Sequence, residues 1–350
     1  MTLALFDDAP EPAPKKRSAS SGVLPAFVSP EIQSLAKELP ASLRLGTSSW
    51  YFPGWAGLVW DQPYAEAKLS KKGLRAYCQH PLLRTVSLDR AFYRPMQAEQ
   101  YAQLAEQVDD DFRFVVKVPS MISDALIRST EGNKAGRGLQ SNPHFLDAKI
   151  FHEICLQPLL EGLKHQLGAL VLQISPMPAH MLSHSEISKL FGQLACILSA
   201  QSAIKNIVPH ALIAVELRNP EFISTPLREE LIALLKDTGA TYCLGLHAKL
   251  PPIEDQLPIL RKLWPGPLVC RWNLHSKHGR FGYESALSSY EPFNKLVDED
   301  MHTREQLARV IAGTLKGGQK ALVTINNKAE GSAPLSVAKL GTAVLEHISR

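Results

Sequence analysis

Carboxylates, guanidiniums and amides recur at the ends of short apolar runs in this chain, where a parallel sheet would display them together. Glu216 lies between Val215 and Leu217, and Asp89 follows the run TVSL, so both carboxylates can face one enclosed space. An enclosed carboxylate can have its proton affinity tuned towards neutral pH. Glu216 is therefore the first candidate for a general acid or base and Asp89 the second. Arg218, Arg271 and Lys117 form a candidate cationic floor for a carboxylate or phosphate, with arginine suited to two-point contact. Gln173, Asn326 and Asn327 offer hydrogen bonds to neutral oxygens, and His247 and Asn273 stand at neighbouring run ends. Trp50, Tyr51 and Trp55 offer flat apolar faces, while Tyr93 and Arg94 follow the second run in AFYRP. The set points to metal-independent hydrolysis or isomerisation of a small phosphorylated or acidic sugar-like substrate. In that reading Glu216→Gln abolishes turnover and spares binding. Each residue also has a local alternative: Glu216 as a buried ion pair with Arg218 or Arg271, Asn326 as the cap of the next helix. As a set they favour a site, because a plain barrel core is filled by Val, Ile and Leu.

Positioning these residues takes a series of strands. A first strand is expected to end near Thr47, followed by an aromatic loop in the stretch LGTSSWYFPGWAGLVW (Leu45 to Trp60), which holds three of the five tryptophans. Further runs cover Thr85 to Leu88, Phe112 to Val118, Ala169 to Ile174, Leu212 to Leu217, Thr241 to Leu246, Leu268 to Leu274 and Ala321 to Ile325. Between them lie stripes at helical spacing, such as Ile187/Leu190/Phe191/Leu194/Leu198 and Leu307/Val310/Ile311/Leu315. Strand and helix alternating through about eight units predict a TIM-type (β/α)8 barrel, with an open doubly wound sheet as the alternative. In a parallel barrel all C-terminal strand ends share one mouth, so residues distant in sequence converge there.

The composition sets bounds. With 350 residues, 45% hydrophobic and 21% charged, the chain can fill one such barrel, and a net charge of +4 falls short of a strongly basic nucleic-acid-binding face. Five scattered cysteines show no zinc-like spacing and no disulfide framework, which fits reduced thiols in a cytoplasmic protein. No apolar run is read as membrane-spanning, and no membrane partner is expected. Residues 1–30, rich in Pro, Ala and Ser, read as a flexible tail, with the barrel domain over 31–350 and a short helix from Glu31 to Glu38. Leu3, Leu5 and Phe6 in TLALF resemble a bacterial sliding-clamp docking peptide without its leading glutamine, and chance is the better explanation.

Six ordered motifs carry a resemblance: GTSSWYFPGW, AFYRP, FRFVVKVP, LGALVLQISP, AVELRNPEF and INNKAEG. They are similar to the successive motifs of the YecE-like family, also called domain of unknown function 72, over roughly residues 43 to 345. The resemblance implies a TIM-type barrel with a polar mouth and an unassigned activity. Three stretches depart from the family pattern: Ser87, Asp89 and Arg90 in and just after the second strand, Asn273 in the seventh, and Ser123-Asp124 after the third. Residues 125 to 148 look like a lengthened loop.

Other ligands have less support. GNKAGRG lacks the phosphate-loop order, and no glycine fingerprint follows the first strand, so no cofactor is expected. Asp89, Glu216, His247 and His275 are a conceivable metal set, disfavoured by Arg218 and Arg271 at the same mouth. A nucleic-acid-binding or metal-dependent phosphodiester-cleaving barrel remains the alternative, with KKR (Lys15 to Arg17), RSTEGNKAGRG and SKHGR as phosphate grips.

Overall fold

The computed structural model describes residues 22–128, 139–247, 249–279 and 282–350. Among the described residues ten strands form: β1 (Leu43–Thr47), β2 (Thr85–Leu88), β3 (Arg113–Lys117), β4 (Leu126–Arg128), β5 (Leu139–Ser141), β6 (Leu167–Ile174), β7 (Leu212–Leu217), β8 (Thr241–Leu246), β9 (Leu268–Trp272) and β10 (Ala321–Ile325). Eight close a parallel barrel in the order β1-β10-β9-β8-β7-β6-β3-β2, while β4 and β5 pair as a separate antiparallel ribbon. The expected TIM-type barrel is therefore present. The segment read as a long loop after β3 carries that ribbon, and its residues 129–138 lie outside the described ones.

Alternation along the strands sorts the core into two layers. Residues such as Val86, Leu88, Phe114, Val116, Leu170, Leu172 and Val215 face outward and bury against the helices. Inside the barrel a smaller apolar layer of Val115, Ala169, Val171, Leu212, Ala214, Cys243, Val269 and Leu322 plugs its middle. The next inward positions are Lys117, Gln173, Glu216, Gly245 and Arg271, so the polar residues rest on an apolar floor. Gln173 pairs in register with Glu216, and Gly245 with Arg271. A Cβ at Gly245 would come within 3.4 Å of Glu216 Cγ, so the glycine leaves room for Glu216 and Arg271 to meet across β8.

Two boundaries differ from expectation. The helix Pro30–Glu38 forms as read, capped by Ser29, but residues just before it are not free tail. Val23 and Ala26 are buried, Ala26 N–H donates to Val59 C=O at 2.9 Å, and Asp61 N–H donates to Leu24 C=O at 3.1 Å. This short segment packs on the aromatic loop through its apolar side chains and its backbone pairing with Val59, Trp60 and Asp61. The clamp-like Leu3, Leu5 and Phe6 and the KKR cluster lie outside the described residues. The helical stretch His184–Ile207 meets the length and mean hydropathy (1.2) needed to cross a membrane, which the sequence reading missed; it buries Ile187, Leu190, Leu194 and Ile204 in the fold.

Candidate functional site

The C-terminal ends of β2, β3, β6, β7 and β9 hold one connected charge network. Glu216, fully enclosed, accepts from Arg271 Nη1 at 2.6 Å on one carboxylate oxygen and from Arg218 Nε at 3.1 Å on the other. Arg271 Nη2 donates to both oxygens of Asp89 at 3.1 Å, and Ser87 Oγ donates to Asp89 at 2.6 Å. Gln173 Oε1 accepts from Arg218 Nη2 at 2.8 Å and from Arg271 Nη1 at 3.3 Å. Strand geometry thus brings together Glu216, Asp89, Arg218, Arg271 and Gln173. It spends the two guanidiniums on carboxylates, so they are not the open cationic floor expected.

Lys117 differs from its neighbours. Its ammonium lies 3.6 Å from the centroid of the Phe92 ring, and among the described residues it makes no hydrogen bond and has no carboxylate within 4 Å. Burial, then Arg271, push its pKa down to about 8 against the pull of Asp89 and Glu216. Glu216 responds in the opposite sense. Burial would raise its carboxyl, but Arg271, Arg218 and Lys117 hold it at about 2. A carboxylate so strongly paired is poorly matched to proton transfer near neutral pH. The buried ion pair weighed from sequence is the arrangement the fold adopts.

Beside the network a cavity of about 190 Å³ is lined by Ser48, Trp50, Tyr51, Asp89, Tyr93 and Asn326, among others. Asp89 keeps 31% of its side chain exposed, so it presents a carboxylate edge to solvent while Arg271 holds the group. Trp50 is 1% exposed and anchored by Nε1–H to Leu69 C=O at 3.2 Å, and Arg90 lies 5.2 Å from its ring centroid. Asn326 donates to Ser48 Oγ at 2.9 Å and caps the turn at Lys328, the local alternative foreseen for it.

Several expected binding residues are elsewhere. Trp55 is completely buried, packed on Phe52, Trp60 and Tyr77, because its indole N–H is satisfied by Asn327 at 3.2 Å. Asn327 also accepts from Ala333 N–H at 2.8 Å, so this pair ties the aromatic loop to the last helix, Ala333–Ser349. Arg94 is exposed and outside the cavity lining, since the helical turn Arg90–Tyr93 ends before it. His247 stacks on Tyr283 at 5.8 Å and lines a different, 310 Å³ cavity; burial, then Arg218, push it down to about 4. Asn273 is buried with its amide nitrogen enclosed and unpartnered. The conceivable metal set does not assemble: His275 and His247 each accept a backbone N–H two residues on, and Glu216 is held by guanidiniums. Among the described residues no three His, Cys, Asp or Glu side chains group as metal ligands.

A family profile for a protein of unknown function, DUF72, matches residues 44–349. The chain belongs to the DUF72 family. Two solved family members are similar to it: one from Thermotoga maritima MSB8 at 21% identity, TM-score 0.52, covering 86% of this chain and 98% of that one. The other is from Enterococcus faecalis V583, at 18% identity, TM-score 0.53, covering 86% and 95%. At that identity the likeness shows the fold alone. No curated protein matches.

Of the positions read as departing from the family pattern, Ser87 and Asp89 lie in the network. Ser87 donates to Asp89, which accepts from Arg271, and the Asp124 carboxyl is raised, chiefly by burial, despite a Ser175 hydrogen bond. Asp124 also keeps one carboxylate oxygen enclosed without a partner. Phe92, Ser175 and Tyr283 were missed as site residues. Phe92 and Ser175 had a signal, their places in AFYRP and LGALVLQISP; Tyr283 comes from a helix whose distance from β9 follows no period.

Proposed function

We propose that the mouth of this DUF72 barrel binds a small anionic ligand, phosphorylated or acidic and sugar-like, and carries out metal-independent proton transfer on it as a hydrolase or isomerase. The observation that carries the reading is the charge balance: Arg218, Arg271 and Lys117 face Glu216 and Asp89, and Lys117 is the cation without an acidic partner. An unpaired buried cation costs free energy, which a bound anion offsets. In the cavity beside Asp89, Tyr51 offers a ring face and Asn326 an amide edge. In this reading Glu216 fixes the two arginines and does not itself move the proton. Asp89, with its exposed edge, takes that role.

Thermal stabilisation by a panel of phosphosugars, sugar acids, nucleotides and short oligonucleotides, with and without divalent metals, tests the proposal on the native chain and Lys117→Met. Ligand at about a hundred times its dissociation constant adds roughly 2.7 kcal/mol. Stabilisation of the native chain by small anions, absent in the variant, supports it. Stabilisation only by oligonucleotides or only with metal replaces it with the nucleic-acid-binding or phosphodiesterase alternative.

A further inference from the structure

Building on the anion-site reading, we infer that Lys117 is an amine nucleophile that forms an imine with a small aldehyde or ketone bearing a carboxylate or phosphate. Four observations support this assignment. The side chain ends β3 at the barrel mouth, is 6% exposed and has no acidic partner. The enclosed, unpartnered side-chain atoms include Arg271 Nε, Asn273 Nδ2 and an Asp124 oxygen but not Lys117 Nζ, so the unpaired amine keeps a slight contact with solvent, next to Asp89's cavity but not in its lining. The ring over it belongs to the short surface turn Arg90–Tyr93, whose Tyr93 is 81% exposed. Finally, the charged groups acting on it are two cations, Arg271 and Arg218, and three acids beyond ion-pair distance, Asp89, Glu216 and, from the turn after β3, Asp124.

This setting favours the free amine, the form that attacks a carbonyl. A lysine brought down from 10.5 to about 8 holds about two orders of magnitude more free amine at pH 7 than a solvated one. In the step, the Nζ lone pair forms a C–N bond as the carbonyl pair moves to oxygen, and one N–H proton passes to that oxygen. A second proton, from an acid, converts the hydroxyl to leaving water, and the nitrogen lone pair closes the C=N bond of a protonated imine. Asp124, whose carboxyl is raised, is the candidate donor. The imine then draws electrons from the neighbouring C–H bond. Asp89 is the exposed carboxylate available to take that proton, as an isomerisation requires.

Reductive labelling tests this with glyoxylate, a small anionic aldehyde, and cyanoborohydride, read by intact mass and peptide mapping with sulfate as competitor. The expected result is one carboxymethyl group on Lys117 ahead of the surface lysines, with a rate rising through about pH 8 and suppressed by sulfate. The label is lost in Lys117→Arg, which keeps the charge and the fold. Phe92→Ala uncovers the amine and speeds the labelling; a slower rate contradicts the assignment. Labelling spread over surface lysines, with Lys117 no faster, overturns the imine while sulfate stabilisation of the native chain leaves the anion site standing. If sulfate neither protects nor stabilises, both fall.

Discussion

The barrel contains two buried carboxylate–arginine clusters, and they differ in what they leave over. At Glu330, fully enclosed, one carboxylate oxygen accepts from Arg304 at 2.5 Å and from the Asp300 backbone N–H at 2.8 Å, while Glu299 also binds Arg304. Its backbone carbonyl accepts from Val297 and Asp298. These contacts tie the segment 297–304 to the turn after β10, and one cation meets two acids. At the mouth, by contrast, three cations meet Glu216 and Asp89, a cavity borders the cluster, and Lys117 lacks an acidic partner. A buried ion pair alone is therefore no sign of function in this chain. An uncompensated charge in a cluster whose Asp89 lines an open cavity is what separates the two.

The largest effects should be common to both clusters. Arg271→Ala and Arg304→Ala each strand an enclosed carboxylate, and each is expected to lose about 3–5 kcal/mol in chemical denaturation. The comparison is sharpened by what survives: a folded Arg304 variant keeps its stabilisation by small anions, and loss of that response would erase the distinction between the clusters.

Lys117→Met should act in the opposite direction. A folded-state pKa below the unfolded value means the charged lysine destabilises the fold below about pH 8, and the penalty fades as pH rises towards 10.5. The variant is thus expected to gain up to roughly 3 kcal/mol at neutral pH, with the difference from the native chain closing in alkali. A destabilised variant would mean that Lys117 holds the network together.

Acid titration gives the smallest expected effect. Glu216 is held at about 2 against an ordinary 4.5, so its contribution is present above 4.5 and lost as pH falls through 2. Glu216→Gln should flatten that part of the stability profile, and an unchanged acid limb would move the coupling to another carboxylate.

The strands were legible because alternation and flanking turns mark them. β10 and β2 coincide with their apolar runs, and β9 ends two residues early, where Asn273 and Leu274 turn to pair with Leu246. The same period placed Glu216, Gln173, Lys117 and Arg271 on one inner face. Their pairing was not legible, since whether Arg271 meets a ligand or Glu216 depends on cross-barrel distance and on the space at Gly245. The aromatic loop misled for a related reason. Trp50, Tyr51 and Trp55 are alike in sequence, but Trp55 has an internal acceptor in Asn327 and is buried, whereas Tyr51 borders the cavity.

The most direct test of the central claim, that among the three cations of the network Lys117 is the one without an acidic partner, is calorimetric titration with sulfate from neutral pH to well above 8, where sulfate keeps its charge. The account predicts binding that weakens as pH rises through about 8 and is absent in Lys117→Met. Equal affinity in the native chain and the variant, at every pH, would contradict it.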